Sequence, residues 1–273
     1  MRKTVKDILD LKNKRKISML TAYDYPFARM ADEAGIDVVL VGDSLANVVL
    51  GLNTTTEVGM PEMLHHAKAV GRAVKHSMVA VDMPYDSVRQ GIDAAVKYAE
   101  QFMNDAKCDA VKIEWFDGCL DIIRAVASNN IPVIGHVGLT PQTAEQLGGF
   151  KVQGKDADSA KRIIDQASDM EYAGCFGVVL ECVPAPLAKI ITTRLKIPTI
   201  GIGAGIDCDG QVLVVHDILG LFSGFRPKFV KQYANCSEII VKAIAQYKEE
   251  VEKAQFPSEE YCYKMDESEL KKL

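Results

Sequence analysis

Four acidic residues each stand where a short apolar run stops. They are Asp43 after Val38-Val39-Leu40-Val41-Gly42, Asp82 after Met78-Val79-Ala80-Val81, Glu114 after Ala110-Val111-Lys112-Ile113, and Glu181 after Val178-Val179-Leu180. Ordinary buried strands do not repeatedly end in a carboxylate. If these runs are parallel strands of a barrel, their C-terminal ends open on one face, where barrel chemistry is done. Four carboxylates would then meet at one mouth. Such a cluster repels itself unless a cation or a proton is shared, so it predicts a metal ion and at least one tuned acid or base.

Other residues near these runs extend the set. Lys112 lies two positions before Glu114, and residues i and i+2 of a strand share a side. Both point into a barrel if Ile113 faces out, either as a buried ion pair or as a pair that holds a ligand. Gly42-Asp43-Ser44 suits a cation (Asp43) and a substrate carboxylate (Ser44), or a helix N-cap. Asp82-Met83-Pro84 is open between a rim ligand and a turn. His136, in Gly135-His136-Val137-Gly138, is expected just past a strand end on the same rim, as a ligand or as a structural residue. Glu181 comes from a later strand and is expected across the mouth from Asp43 and Asp82, acting on substrate from the other side. Cys182 has neither a helix N-terminus nor a paired histidine to activate it. Gly201-Ile202-Gly203-Ala204-Gly205 reads as a phosphate cradle or as a tight turn. His65, His66 and His76 fall on or after a helical pattern and read as surface or packing residues.

Elements that would position these residues recur along the chain. Strand candidates are 18–21, 38–41, 78–81, 110–113, 132–135, 177–180, 199–202 and 212–215. Continuous runs rich in Val and Ile are what strands buried on both faces look like. Helical patterns fall near 26–34, 61–75, 87–105, 119–128, 157–173 and 186–194, with Pro26 and Pro61 at starts and Gly35 and Gly174 as stops. The alternation predicts a parallel sheet, and eight units favour a closed (β/α)8 barrel. The spacing between the last two strands is too short for a regular helix. After Asp217 comes a Gly/Phe/Pro-rich stretch (220–227), then a charged helix over about 237–253, packed outside the barrel or on a neighbouring subunit.

Bulk composition narrows the function classes. A chain of 273 residues, 48% hydrophobic, suits one large α/β barrel domain spanning 1–273. The net charge of −5, from 32 basic and 37 acidic residues, carries no basic stripe for nucleic acid. No apolar run is long enough to span a bilayer. The basic start, 1–16, lacks the apolar core of a secretory signal and is expected to be a helix on the outside of the domain. Seven cysteines, an odd number without a CxxC pair, speak for reduced thiols in the cytoplasm and against zinc.

Laid out in order, these segments resemble the ketopantoate hydroxymethyltransferase (3-methyl-2-oxobutanoate hydroxymethyltransferase) family. The resemblance runs through Thr21-Ala22-Tyr23-Asp24-Tyr25, Val41-Gly42-Asp43-Ser44-Leu45, Asp82-Met83-Pro84-Tyr85, Val111-Lys112-Ile113-Glu114, Gly135-His136-Val137-Gly138-Leu139-Thr140-Pro141-Gln142, Gly148-Gly149-Phe150-Lys151-Val152-Gln153-Gly154, Leu180-Glu181-Cys182-Val183-Pro184, Ile200–Gly205, Asp209-Gly210-Gln211-Val212 and Pro227–Val230. It covers about 18–260 in one register. It implies a TIM barrel of the phosphoenolpyruvate/pyruvate superfamily and transfer of a one-carbon unit from 5,10-methylenetetrahydrofolate to 3-methyl-2-oxobutanoate. It implies Mg2+ at Asp43, Asp82 and Glu114, oxo-acid contacts from Asp43, Ser44, Asp82 and Lys112, and a general base at Glu181. His136 is placed beside the same oxygens as a hydrogen-bond donor. A homodecamer of stacked pentamers is the assembly the family implies. Ala46, Tyr85 and Trp115-Phe116 depart from the family pattern beside site residues, which bears on pocket shape. The tail, 264–273, has no counterpart in the pattern and is expected to be mobile.

Three other readings compete. A C–C lyase or mutase of the same superfamily would use the same acids but needs a reactive lid cysteine or an acid for cleavage, and no such cysteine motif stands out. A non-catalytic barrel predicts gaps in the acid set. A phosphosugar isomerase or synthase barrel rests on Gly201–Gly205 and leaves the acids of the early strands unexplained.

Overall fold

The apolar runs become eight parallel strands that close on themselves in the order β1 to β8 in the computed structural model, which describes every residue except Glu145, Ser223 and Phe225. The strands are β1 Ile17–Thr21, β2 Val38–Val41, β3 Met78–Asp82, β4 Ala110–Glu114, β5 Val133–Gly138, β6 Cys175–Glu181, β7 Thr199–Ile202 and β8 Gly210–Leu213. Alternation along each strand sorts side chains into two cores. On β4, Val111 and Ile113 pack outward against helices, while Ala110 faces an inner cluster with Ile17, Met19, Leu40, Met78 and Ile134. Lys112 and Glu114 share the Ala110 side, so the inward placement expected of them is what forms. Each fully buried Val, Leu or Ile contributes about 1.5–3 kcal/mol of transfer free energy. The barrel is therefore stabilised by its lower and outer layers, and its upper interior can carry polar groups.

Helices Tyr25–Glu33, Met60–Ala73, Ile92–Ala106, Cys119–Ser128, Ala157–Ala173 and Ala185–Arg194 cover the barrel. Asp24 caps the first by accepting from the Phe27 N–H, with proline in its first turn. The helix expected from Ser87 begins later, because Tyr85–Val88 forms a 3-10 turn and Gly91, at φ 100°, breaks the chain before Ile92. The last strand also lies two residues earlier than expected. Val214 and Val215 leave it for a helical turn, Val215–Ile218, anchored where the Val215 N–H donates to Thr21 Oγ1 at 2.9 Å.

The β7–β8 link contains no helix, and the barrel still closes through Ile200↔Gly210 and Gly201↔Gln211. Gly203 and Gly205, both at positive φ, turn the chain sharply. An extended segment of this length reaches more than about 20 Å, enough to descend past a four-residue strand.

The N-terminal segment departs from expectation. Its helix is confined to Val5–Leu9, and Ile8 joins the inner cluster. It therefore closes the barrel floor instead of lying outside. The basic residues around it explain why: Arg2 pairs with Asp109 (3.2 Å), Lys3 and Arg15 with Asp37 (3.3 and 2.7 Å), and Lys12 with Asp209 (2.6 Å). These acids lie just before β2, β4 and β8 begin, at the end opposite the mouth. The charged helix Cys236–Glu252 contributes no buried residue and exposes Ile239, Ile240, Val241, Ile244 and Tyr247. Within the stretch 220–227, Ser223 and Phe225 lie outside the described residues. The tail forms one exposed helical turn at Glu267–Leu270. No helix among the described residues is long and apolar enough to cross a membrane.

Candidate active site

The upper interior of the barrel is polar because strands β3, β4 and β6 end in Asp82, Glu114 and Glu181, and β2 is followed by Asp43. Asp43, Asp82, Lys112, Glu114 and His136 are all buried. His136 lies inside β5 and not past its end, since that strand runs on to Gly138. In register it stands beside Glu114, and Lys112 stands beside Asp82. Adjacent strands thus place opposite charges next to each other.

The contacts form one continuous row. Lys112 Nζ lies 3.0 Å from Asp82 Oδ1 and 3.9 Å from Glu114 Oε1. His136 Nδ1 lies 3.2 Å from Glu114 Oε1, and its Nε2 lies 3.2 Å from Glu181 Oε2. The Asp43 N–H donates to Asp82 Oδ2 at 3.0 Å. Ser44 begins the short helix Leu45–Val48 without a side-chain cap bond, and its Oγ instead pairs with the Tyr23 hydroxyl at 2.8 Å. The cap reading of Asp43-Ser44 therefore does not describe this turn. Asp82 likewise accepts from the Asp43 N–H in the loop after β2 and not from its own turn, and Lys112 pairs more closely with Asp82 than with Glu114.

Electrostatics follow from burial and neighbours. Burial pushes the Asp43 carboxyl well up, and the charges of Asp82 and Glu114 add to it. Burial opposes an ammonium at Lys112, yet Asp82, Glu114 and Asp43 hold its pKa above the ordinary value. Burial also opposes charge on Glu114, but His136 and Lys112 bring its pKa below the ordinary carboxylate value. For His136, burial and Lys112 work against protonation, and Glu114 and Glu181 prevail, raising it to about 9. The carboxylates of the row thus favour the protonated forms of Lys112 and His136 against the cost of burial.

The donor set suits a hard divalent cation. Asp82 Oδ1 and Glu114 Oε1 are buried without a hydrogen-bond partner, Lys112 being near them but not aligned for both. Carboxylates outnumber cationic side chains here, and the unpartnered carboxylate oxygens are hard donors, with His136 Nε2 the one nitrogen beside them that also lacks a hydrogen bond. Among the described residues, no three His, Cys, Asp or Glu side chains are already drawn into an ion cage.

Gln142 was legible in the sequence only as part of a motif, and it proves central. It follows β5 in a 3-10 turn, Pro141–Thr143. Its Nε2 donates to Asp43 Oδ2 (2.9 Å) and to the Met83 carbonyl (3.0 Å), and its backbone N–H donates to Glu114 Oε2 (3.0 Å). The available signal was a polar side chain just past a rim strand, which distinguishes it from many others only in three dimensions.

The remaining candidates sort by position. Cys182 sits at φ 48° next to Glu181, and burial pushes its thiol to about 12, which leaves it no thiolate character. Gly203 faces the Phe229 ring, where a Cβ would come within 2.7 Å, and Gly205 lies against Ala185. The glycine run is thus packed by side chains as a tight turn. His66 Nδ1 contacts the Tyr23 carbonyl at 2.6 Å, a packing role. Tyr85 and Phe116 close on Arg89 from two sides, at 3.7 and 4.3 Å, and Ala46 is fully buried.

Comparisons with known proteins agree in direction. A family model described as ketopantoate hydroxymethyltransferase matches residues 2–259. A 3-methyl-2-oxobutanoate hydroxymethyltransferase of Syntrophomonas wolfei is 52% identical over 262 residues, covering 96% of this chain and 95% of that protein. One from Clostridium botulinum is 48% identical over 274 residues, covering both in full. Among solved structures, a phosphonopyruvate hydrolase complexed with oxalate and Mg2+ superposes with a TM-score of 0.61 at 12% identity, over 94% of this chain and 93% of that one. A 2,3-dimethylmalate lyase of the PEP mutase/isocitrate lyase superfamily superposes with the same TM-score of 0.61 at 15% identity, over 94% and 87%. These structural likenesses concern the barrel.

Proposed function

The chain belongs to the ketopantoate hydroxymethyltransferase family, and from that premise we propose that it transfers the one-carbon unit of 5,10-methylenetetrahydrofolate to C3 of 3-methyl-2-oxobutanoate, giving 2-dehydropantoate. The observation that carries the proposal is the buried row Asp82–Lys112–Glu114–His136–Glu181. It sets one accessible carboxylate opposite a cluster that can hold an oxo acid.

Removing the C3 proton is the hard step. A proton beside a ketone is less acidic than a carboxylic acid by about a dozen pKa units, roughly 16 kcal/mol. No tuning of a glutamate covers that difference. Mg2+ held by Asp43, Asp82 and Glu114 would supply Lewis acidity at the keto oxygen, where charge develops. Lys112 brings a second positive charge to the same side. Ser44 and the Asp43 turn orient the substrate carboxylate. Glu181 takes the C3 proton from the opposite side, with His136 against its other face. The Glu181 side chain is 15% exposed where that of Glu114 is 3%, so Glu181 is the carboxylate a substrate can reach. The carbanion then forms a C–C bond to the one-carbon unit, water supplies the C–O bond, the two C–N bonds to the folate break, and tetrahydrofolate leaves with the C3 proton and one proton from water. No protein nucleophile enters, in keeping with the un-ionised Cys182. The lyase or mutase reading calls for a reactive lid cysteine or an acid for cleavage, and the cysteine beside this rim, Cys182, has its thiol pushed up by burial.

Deuterium exchange at C3 tests the reading. Protein with Mg2+ and the oxo acid in D2O, without folate, should exchange the C3 hydrogen. Absence of metal-dependent exchange would remove the proposed chemistry.

The cellular setting follows the same reading. Seven unpaired cysteines fit a reducing cytoplasm. The exposed apolar residues of Cys236–Glu252 fit burial between subunits of a homodecamer. Light scattering should return a mass of many subunits, and a monomer would refute the assembly.

A further inference from the structure

The geometry points to Gln142 as the positioning residue of the acid cluster: its amide holds Asp43 and its backbone N–H holds Glu114, each through one carboxylate oxygen, and orients both toward the ion. The inference rests on the magnesium reading above.

Each carboxylate of the cluster is held by a neutral donor through one oxygen. Gln142 Nε2 takes Asp43 Oδ2, the Gln142 N–H takes Glu114 Oε2, and the Asp43 N–H takes Asp82 Oδ2. The orphaned buried oxygens are the other ones, Asp82 Oδ1 and Glu114 Oε1. These neutral donors orient the carboxylates without neutralising them, while Lys112 and His136 face the remaining oxygens of Asp82 and Glu114 at 3.0 and 3.2 Å. The amide orientation is set by its partners: Asp43 Oδ2 and the Met83 carbonyl are both acceptors, so the NH2 group must face them. Through these bonds one side chain ties the loop after β5 to the loops after β2 and β3, and its own backbone reaches β4. Gln142 is itself buried. Partners of this kind, which orient ligands without touching the ion, typically change metal affinity by about 10–100-fold when removed.

Gln142→Met keeps the volume and the backbone N–H and removes the two side-chain donors. The test is a Mn2+ titration, read from the electron paramagnetic resonance of the free ion, with the oxo acid in fixed excess. Gln142→Met should bind Mn2+ about tenfold or more weakly than wild type. In an Asp43→Ala background, which has no acceptor for the Gln142 amide, the same change should cost little further, because its effect runs through Asp43. Unchanged Mn2+ affinity, or equal losses in both backgrounds, would overturn the role. If Gln142→Met does not fold, Gln142→Asn carries the test. Its amide is one methylene short, the same weakening is expected, and wild-type affinity would overturn the inference. Wild-type protein that binds no Mn2+ at all would instead bring down the magnesium reading, and the inference with it.

Discussion

His136 Nε2 lies 3.2 Å from Glu181 Oε2, while the opposite nitrogen of the same ring lies 3.2 Å from Glu114 Oε1. One imidazole therefore spans β4 and β6 through β5. It separates two carboxylates that would otherwise repel each other, and their pull on its proton outweighs burial and Lys112 and raises its pKa to about 9. The metal side and the base side of the proposed site are joined through this ring.

Glu181→Gln should keep affinity for the oxo acid and lower C3 exchange by about 100-fold to 10,000-fold, the usual range for a lost general base. Exchange rates by proton NMR, together with oxo-acid binding by calorimetry, check it. Retained exchange would assign the base elsewhere.

Asp82→Ala should weaken Mg2+ binding by at least about tenfold. It removes an orphaned oxygen and leaves the buried Lys112 without its nearest partner. Isothermal titration measures this, and unchanged affinity would move the ion away from β3.

Gly138→Ala should destabilise the protein by about 1–3 kcal/mol. Gly138 has φ 96°, and an added Cβ would collide with the Glu181 carbonyl oxygen. Because the clash falls on the base's own backbone, C3 exchange should also drop by about 100-fold. A urea midpoint equal to wild type would refute the packing argument.

Asp37→Asn should remove an acid-sensitive part of stability at the barrel floor. Burial disfavours the Asp37 carboxylate, but the Arg15 guanidinium and the Ser18 N–H and hydroxyl bring its folded pKa well below the ordinary 3.8. A depressed folded pKa means stability that is complete above pH 3.8 and is lost as pH falls towards the folded value. Wild type should exceed Asp37→Asn by about 2 kcal/mol at pH 7, with the gap closing in acid. Denaturant melts at pH 7 and pH 3 would show it, and a constant gap would contradict the linkage.

Local patterns carried most of the fold. Eight apolar runs became eight strands because a strand buried on both faces must be apolar along its length, and that is visible in one dimension. The rim acids were legible for the same reason: a carboxylate ending such a run has no apolar explanation. The i, i+2 rule alone put Lys112 and Glu114 on one side. Short-range signals misjudged the start of the chain. Its basic residues looked like surface charge until the strands' opposite ends supplied Asp37, Asp109 and Asp209 as partners.

What the sequence by itself determined was the set of charged groups and the face on which they gather, because both follow from strand period and parallel order. Which group touches which was decided only by the tertiary structure. Barrel closure brings Gln142 onto Asp43, 99 positions away in the chain, and sets His136 between Glu114 and Glu181. Contacts at such separations depend on register between strands and on the path of a loop, and neither is written in the local order of residues.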